Sequence, residues 1–216
     1  MTARPLICFD WDGTLADSMR LCIEECRYAL LKLGLPDLPD ETLMLCNGPN
    51  DWDACEILGI PEALKGVYVP TRIQAGLDLT PTVNKLFPGV KSMLETLSQQ
   101  ADLAIVSNGQ MPYIRLCKKT FGLEQLFRTE RAYTPGLNKG QLLQQVLDEV
   151  QPSRAIMVGD RLGDLQAGRQ CGLPTVAAAY GYGTPEEWAE ADVCCESVEA
   201  LTDYLLQWAT QTEIST

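Results

Sequence analysis

Five short runs, at residues 6–9, 103–106, 155–158, 175–178 and 193–195, consist almost wholly of apolar or β-branched side chains, and longer stretches of helical periodicity separate them. This alternation constrains the chain more than any other feature. A strand that is apolar at consecutive positions has no polar face to give to water, so both its faces must be covered, and a parallel sheet flanked by crossover helices does this. Helical patterns at 89–99, 113–121, 139–150 and 165–171 supply the crossovers, and a weaker strand is expected near 127–132. The expected fold class is α/β, a parallel sheet with helices on both sides.

The rhythm breaks between residues 17 and 84, where no convincing strand occurs but several helix signals do. The first is 18–33, whose Leu21, Cys22, Cys26, Ala29, Leu30 and Leu33 form an apolar stripe suited to packing. Asp40 before Glu41-Thr42-Leu43, and Asn50 before Asp51-Trp52-Asp53, are N-cap candidates for two more. A helical insertion is the simplest account. It would leave after Asp12-Gly13-Thr14 and return near residues 81–88, through two connections short enough to act as hinges. Its polar or amphipathic loop residues Asn47, Asn50, Asp51, Trp52 and Arg72 are the candidates to meet a ligand. The tail after Gln207 is expected to fray.

Composition narrows the partners. The 216 residues carry 29 acidic and 17 basic side chains, a formal charge of −12, which repels phosphate backbones and anionic lipid. Nucleic acid and membrane surfaces are therefore not expected partners. No apolar run approaches the roughly 18 residues of a membrane span, and the apolar stretch after Arg4 is too short for a secretory signal, so a cytoplasmic location is expected. Nine cysteines, an odd number lying mostly in apolar segments, read as reduced thiols. The chain has no histidine, which removes Ser-His, Cys-His and phosphohistidine chemistry and leaves carboxylates, hydroxyls, lysine or a metal to do any catalysis.

In an open parallel sheet, ligands sit beyond the carboxyl ends of the strands. There the sequence is polar: Asp10-Trp11-Asp12-Gly13-Thr14-Leu15-Ala16-Asp17-Ser18 after the first strand, Ser107-Asn108-Gly109 after the second, and Gly159-Asp160-Arg161-Leu162-Gly163-Asp164 after the fourth. Lys139 opens the third crossover helix. Four aspartates cannot share a dry crevice unaided, since unit charges about 4 Å apart repel by roughly 4 kcal/mol at an effective dielectric near 20. A cation must sit among them, and an all-oxygen donor set favours Mg²⁺. A calcium-loop reading of Asp10, Asp12 and Thr14 fails, because Leu15 and Leu21 stand where that loop needs Gly and Glu.

The motifs D-x-D-G-T-L-x-D-S, S-N-G, a lone lysine before a helix and G-D-x-x-x-D together resemble those of the haloacid dehalogenase superfamily, and the resemblance spans essentially the whole chain. The loop Gly181-Tyr182-Gly183-Thr184-Pro185-Glu186-Glu187 is similar to that of phosphoglycolate phosphatase-like members. Two departures are visible: Gly140 follows Lys139 where proline is frequent, and 46–50 lacks the basic residue often seen in phosphoglycolate phosphatases. The resemblance implies a Rossmann-like core of residues 1–16 and 85–216 with an all-helical cap of 17–84. It further implies a Mg²⁺-dependent phosphatase acting on a small phosphorylated metabolite, phosphoglycolate-like or a sugar phosphate; both monomer and homodimer are compatible with the sequence.

Under that resemblance Asp10 is the nucleophile that forms an aspartyl-phosphate, and Asp12 the acid/base. Asp10, Asp12 through its backbone carbonyl, Asp160, and Asp164 directly or through water hold the metal. Thr14, Ser107, Asn108 and Lys139 bind phosphate. A phosphosugar mutase of the same superfamily and a non-catalytic phospho-acceptor module are the alternatives; a non-hydrolytic dehalogenase is disfavoured because it has no use for Asp12.

Overall fold

In the computed structural model, which describes residues 3–211, six strands form one sheet. They are β1 (Leu6–Phe9), β2 (Asp102–Val106), β3 (Thr129–Arg131), β4 (Ala155–Gly159), β5 (Thr175–Ala178) and β6 (Val193–Cys195). The spatial order is β3-β2-β1-β4-β5-β6, and every neighbouring pair is parallel. Each expected strand is present, including the weak one, which shortens to three residues at the sheet edge.

The apolar runs behave as two-faced strands. Ile7 and Phe9 of β1 pack with α5 (Val90–Ser98), α6 (Met111–Phe121) and α10 (Val198–Thr210), while Leu6 and Cys8 pack with α7 (Lys139–Val150) and α8 (Leu162–Gln170) on the opposite face. The period-2 alternation of a strand sends neighbouring apolar residues into two different cores, so both have to be apolar.

Between β1 and α5 lie four helices, α1 (Met19–Lys32), α2 (Asp40–Leu43), α3 (Asp51–Ile57) and α4 (Glu62–Val83), with a tight helical turn at Met44–Cys46. They enclose a core of their own, built from Cys22, Cys26, Leu30, Leu43, Tyr68 and Val69 among others. The chain leaves and re-joins the sheet side by side: Ala16 bridges Leu86, the Asp17 amide donates to the Lys85 carbonyl at 2.9 Å, and the Phe87 amide donates to the Leu15 carbonyl at 3.1 Å.

Local details differ from expectation for identifiable reasons. Asn50 caps α3 as expected, accepting from the amides of Trp52 and Asp53. Asp40 does not cap α2: Pro39 precedes the helix and Arg27 takes the Asp40 carboxylate at 2.5 Å. The helix expected at 165–171 begins at Leu162, because Asp164 accepts the Arg161 amide and closes a first turn whose polar residues looked like loop. Helix α4 runs through Pro70 and Pro81 to Val83, so the returning connection is shorter than 81–88. Of the tail after Gln207, residues 208–210 continue α10, and Arg154 donates to the Trp208 carbonyl with its guanidinium 4.7 Å from the Trp208 ring. The expectation for residues 212–216 lies outside the described residues. All nine cysteines are unpaired, and seven of them are buried. Among the described residues no helix is long and apolar enough to cross a membrane.

Candidate active site

From β1 the chain proceeds outward to β2 and β3, then crosses back to β4 on the other side of β1. The loops after β1 and β4 therefore diverge and open a crevice at the carboxyl edge between them. Asp10 and Asp160 follow those two strands directly, and the Asp10 amide is still held by the Val158 carbonyl of β4 at 2.9 Å. Ladder geometry thus fixes both positions before any side-chain interaction is considered.

Carboxylate oxygens of Asp10, Asp160 and Asp164 lie within 4.8 Å of one another, and all three residues are buried. Lys139, the first residue of α7, reaches into them with its ammonium nitrogen 2.9 Å from Asp10 Oδ1 and 2.5 Å from Asp164 Oδ1. The helix start that aims it is fixed by a reciprocal capping box between Asn138 and Gln141. Burial opposes the charge on Lys139, but Asp10 and Asp164 outweigh it and raise its pKa. Burial also raises Asp10 well above the ordinary carboxylate range, and the Asp164 charge adds to this while Lys139 works against it. Asp160 is pushed up to about 7, first by burial and then by Asp164, against hydrogen bonds from the Tyr182 amide and Thr14. One ammonium among three buried carboxylates leaves the cluster short of positive charge. A hard, oxygen-seeking divalent cation matches that deficit and that donor set.

Asp160 is gripped from several sides. The Thr14 hydroxyl donates to Oδ1 at 3.1 Å, the Tyr182 amide to Oδ2 at 2.8 Å, and the Trp188 indole to its carbonyl at 2.8 Å. Gly13, at φ +83°, passes so close that a Cβ there would collide with the Asp160 carboxylate. This is why the turn after Asp12 requires glycine on both conformational and spatial grounds.

Asp12 stands apart from the three. Its Oδ1 accepts from the Tyr113 hydroxyl at 2.6 Å, and Tyr113 in turn accepts from Asn84 at 3.0 Å. Burial raises the Asp12 pKa, while hydrogen bonds from Ser18 and Tyr113 oppose the rise. Ser107 is buried, and its hydroxyl oxygen accepts the Gly109 amide at 3.0 Å, which leaves its own proton to donate. The Asn108 side chain donates to the Gly48 carbonyl at 3.0 Å, linking the β2 loop to the inserted helices.

A cavity opens in front of Asp10 and Asp12 and extends between the sheet loops and the inserted helices. Of the residues expected in loops, Asn47, Asp51 and Arg72 line it, but Asp51 opens α3 and Arg72 lies within α4, because the helices extend over both positions. Asn50 and Trp52 do not: the first is occupied as a helix cap, and the second is 46 % exposed on the outer side. Leu21 and Cys22 of the apolar stripe also line the cavity, so that face serves packing and pocket together. Tyr113, which holds Asp12, had no signal in the sequence, because a single tyrosine on a helix carries no pattern that periodicity would reveal. Tyr182 lies in the glycine-rich loop that the motifs singled out, and its hydroxyl donates to Asp17 at 2.8 Å and accepts the Met19 amide at 2.9 Å, contacts the loop's sequence did not show.

A parallel α/β sheet with inserted helices and a carboxylate cluster around one lysine at its switch point defines a class of hydrolase fold. The sequence model of the haloacid dehalogenase-like hydrolase family matches residues 7–178, and the chain belongs to that family. Tyrosine-protein kinase PtkA of Mycobacterium tuberculosis is 30% identical over 82% of this chain and 63% of its own length, so the chain spans a little under two thirds of that relative. Phosphoglycolate phosphatase of Synechococcus elongatus is 30% identical over 95% of this chain and 97% of its own. Among solved structures, a haloacid dehalogenase-like hydrolase family protein from Streptococcus pneumoniae superposes with a TM-score of 0.85 at 22% identity, covering 94% of this chain and 99% of that one.

Proposed function

We propose that this chain is a Mg²⁺-dependent phosphatase of small phosphate monoesters, with residues 1–16 and 85–216 as the catalytic core and 17–84 as a helical cap. The observation that carries the reading is the division of labour at the switch point. Asp10 sits in a carboxylate cluster bridged by Lys139, while Asp12, two residues on, is withdrawn to Tyr113 with a raised pKa. That is what a nucleophile beside an electrostatic clamp, and a separate acid/base, require. The full-length phosphoglycolate phosphatase relative supports the same chemistry.

In this proposal Asp10 attacks phosphorus and the ester oxygen departs with the proton of Asp12. The resulting aspartyl-phosphate is cleaved by a water from which Asp12 removes a proton, regenerating both carboxyls. Lys139, the Ser107 hydroxyl and the Asn108 amide hold the phosphate oxygens. Thr14, whose hydroxyl is spent on Asp160, is assigned to positioning that carboxylate. Asp10, Asp160, the Asp12 carbonyl and Asp164 would hold Mg²⁺, which when bound supplies positive charge opposite the transferring phosphoryl group. The nine unpaired cysteines support a reducing, cytoplasmic setting.

Three contacts latch the cap loop to the core: Asn108 to the Gly48 carbonyl, Arg161 to the Asn47 carbonyl at 3.3 Å, and Gln110 to Asp51 at 2.9 Å. A latched cap leaves room for a small ester and excludes a folded phosphoprotein. A generic aryl phosphate tests the reading: EDTA abolishes turnover, Mg²⁺ restores it, and Asp10→Asn removes it from a protein that still folds. Full turnover after exhaustive chelation, or phosphoryl transfer from ATP to tyrosine in place of ester hydrolysis, would overturn it.

A further inference from the structure

The end of the cavity farthest along the cap helices is built around a charge cluster. Arg72 of α4 is the one cationic side chain lining the cavity among the described residues, and it is 5 % exposed. Its guanidinium is already engaged: Nε and Nη2 lie 2.9 and 2.8 Å from Glu25 Oε1, and Nη1 lies 3.3 Å from Asp51 Oδ1. Both carboxylates are held where they are. Asp51 accepts from Gln110 at 2.9 Å, and the Glu25 carboxylate lies against α4 in space that Gly76, lacking a Cβ, leaves open.

With one guanidinium between two carboxylates, this end of the cavity has no surplus positive charge. Burial moreover pushes Glu25 up to about 8 despite the opposing Arg72 charge, which brings the cluster close to neutrality at physiological pH. Hydrogen-bonding capacity remains all the same. Nη1 is near enough to Asp51 for charge attraction but makes no hydrogen bond, so it is a buried donor awaiting an acceptor. Asp51 and Glu25 in turn accept.

Resting on the phosphatase reading above, we propose that the cavity selects phosphate esters of neutral, hydroxyl-bearing alcohols and turns away esters whose alcohol carries a carboxylate or a second phosphate. A hydroxyl accepts from Arg72 Nη1 and donates to Asp51 or Glu25, so it answers both halves of the cluster. A carboxylate or phosphate only accepts and an ammonium only donates, and in a cluster already close to neutrality neither charge finds a free counter-ion. The same reasoning disfavours a mutase, whose bisphosphorylated intermediate needs a cationic seat for its second phosphate.

The test compares kcat/KM for glycerol phosphate, phosphoglycolate and ethanolamine phosphate in the Mg²⁺-loaded protein, and measures binding of the same esters to the Asp10→Asn variant by calorimetry. Glycerol phosphate is expected to exceed both others by at least about tenfold in each readout. Asp51→Asn, which removes the charge that balances Arg72, is expected to shrink the gap to phosphoglycolate by about tenfold. Preference for phosphoglycolate or ethanolamine phosphate in the parent, or a ratio unmoved by Asp51→Asn in a folded protein, would overturn the inference. Failure of the aryl phosphate and every other ester to turn over would instead defeat the phosphatase reading, and the binding measurements on Asp10→Asn would still decide the charge argument.

Discussion

Replacing Asp160 with asparagine should make the metal-free protein more stable at pH 7.5 and less stable at pH 4. In the folded chain Asp160 rises from its ordinary 3.8 to about 7. A carboxyl whose folded pKa is raised binds its proton more tightly in the native state, so stability is greatest below about pH 4 and falls as pH climbs toward 7. At 1.36 kcal/mol per pH unit, that rise corresponds to about 4 kcal/mol lost from this one group. Asparagine never charges, so it avoids the loss. It has only one oxygen, however, to meet the two donors that Asp160 now satisfies, the Tyr182 amide and the Thr14 hydroxyl, which costs about 1–3 kcal/mol at any pH. The net at pH 7.5 is a gain of about 1–3 kcal/mol, or about 2–12 °C in melting temperature for a chain of this size. Thermal unfolding in EDTA across pH 4 to 7.5 measures it, and the difference between variant and parent should change sign inside that window. Saturating Mg²⁺ should restore the parent's advantage at pH 7.5, since binding to the native state adds stability that the variant has lost the ligand to collect. A variant less stable than the parent throughout the window would refute the idea that the cluster is held together against its own charge.

Three further outcomes follow from single contacts. Tyr113→Phe removes the hydroxyl that stabilises the Asp12 carboxylate; with Asp12 as the proposed general acid, the alkaline limb of kcat/KM should move upward by about one pH unit. Gly13→Ala places a Cβ at φ +83° against Asp160 and should cost about 1–2 kcal/mol in strain alone, read as a lower denaturation midpoint together with weaker metal affinity. Asn50→Ala deletes the cap of α3 and should cost about 1 kcal/mol while leaving aryl phosphate turnover close to that of the parent, because Asn50 does not line the cavity.

The sequence determined what local chemistry determines. Apolar runs announced five of the six strands, all but the edge strand Thr129–Arg131, and Leu6–Phe9 could hardly be anything but an interior parallel strand. The polar residues after the strand ends announced where chemistry would gather, since the crevice rule follows from topology alone. Asn50 announced its helix because a cap acts within three residues, as periodicity and capping do in general. What lies across the chain was not legible in that way. That Asp12 is drawn to Tyr113, 101 positions on, that Asp160 is clamped by the Gly181–Glu187 loop, and that Arg72 is spent on Glu25 and Asp51 are consequences of packing. Asp40 shows the limit within a single segment: its sequence neighbours favoured a cap, and Arg27, thirteen residues earlier, took the carboxylate. Charge counts can be read from a sequence, but which charges neutralise one another depends on distances of a few ångströms, and only the folded chain sets those.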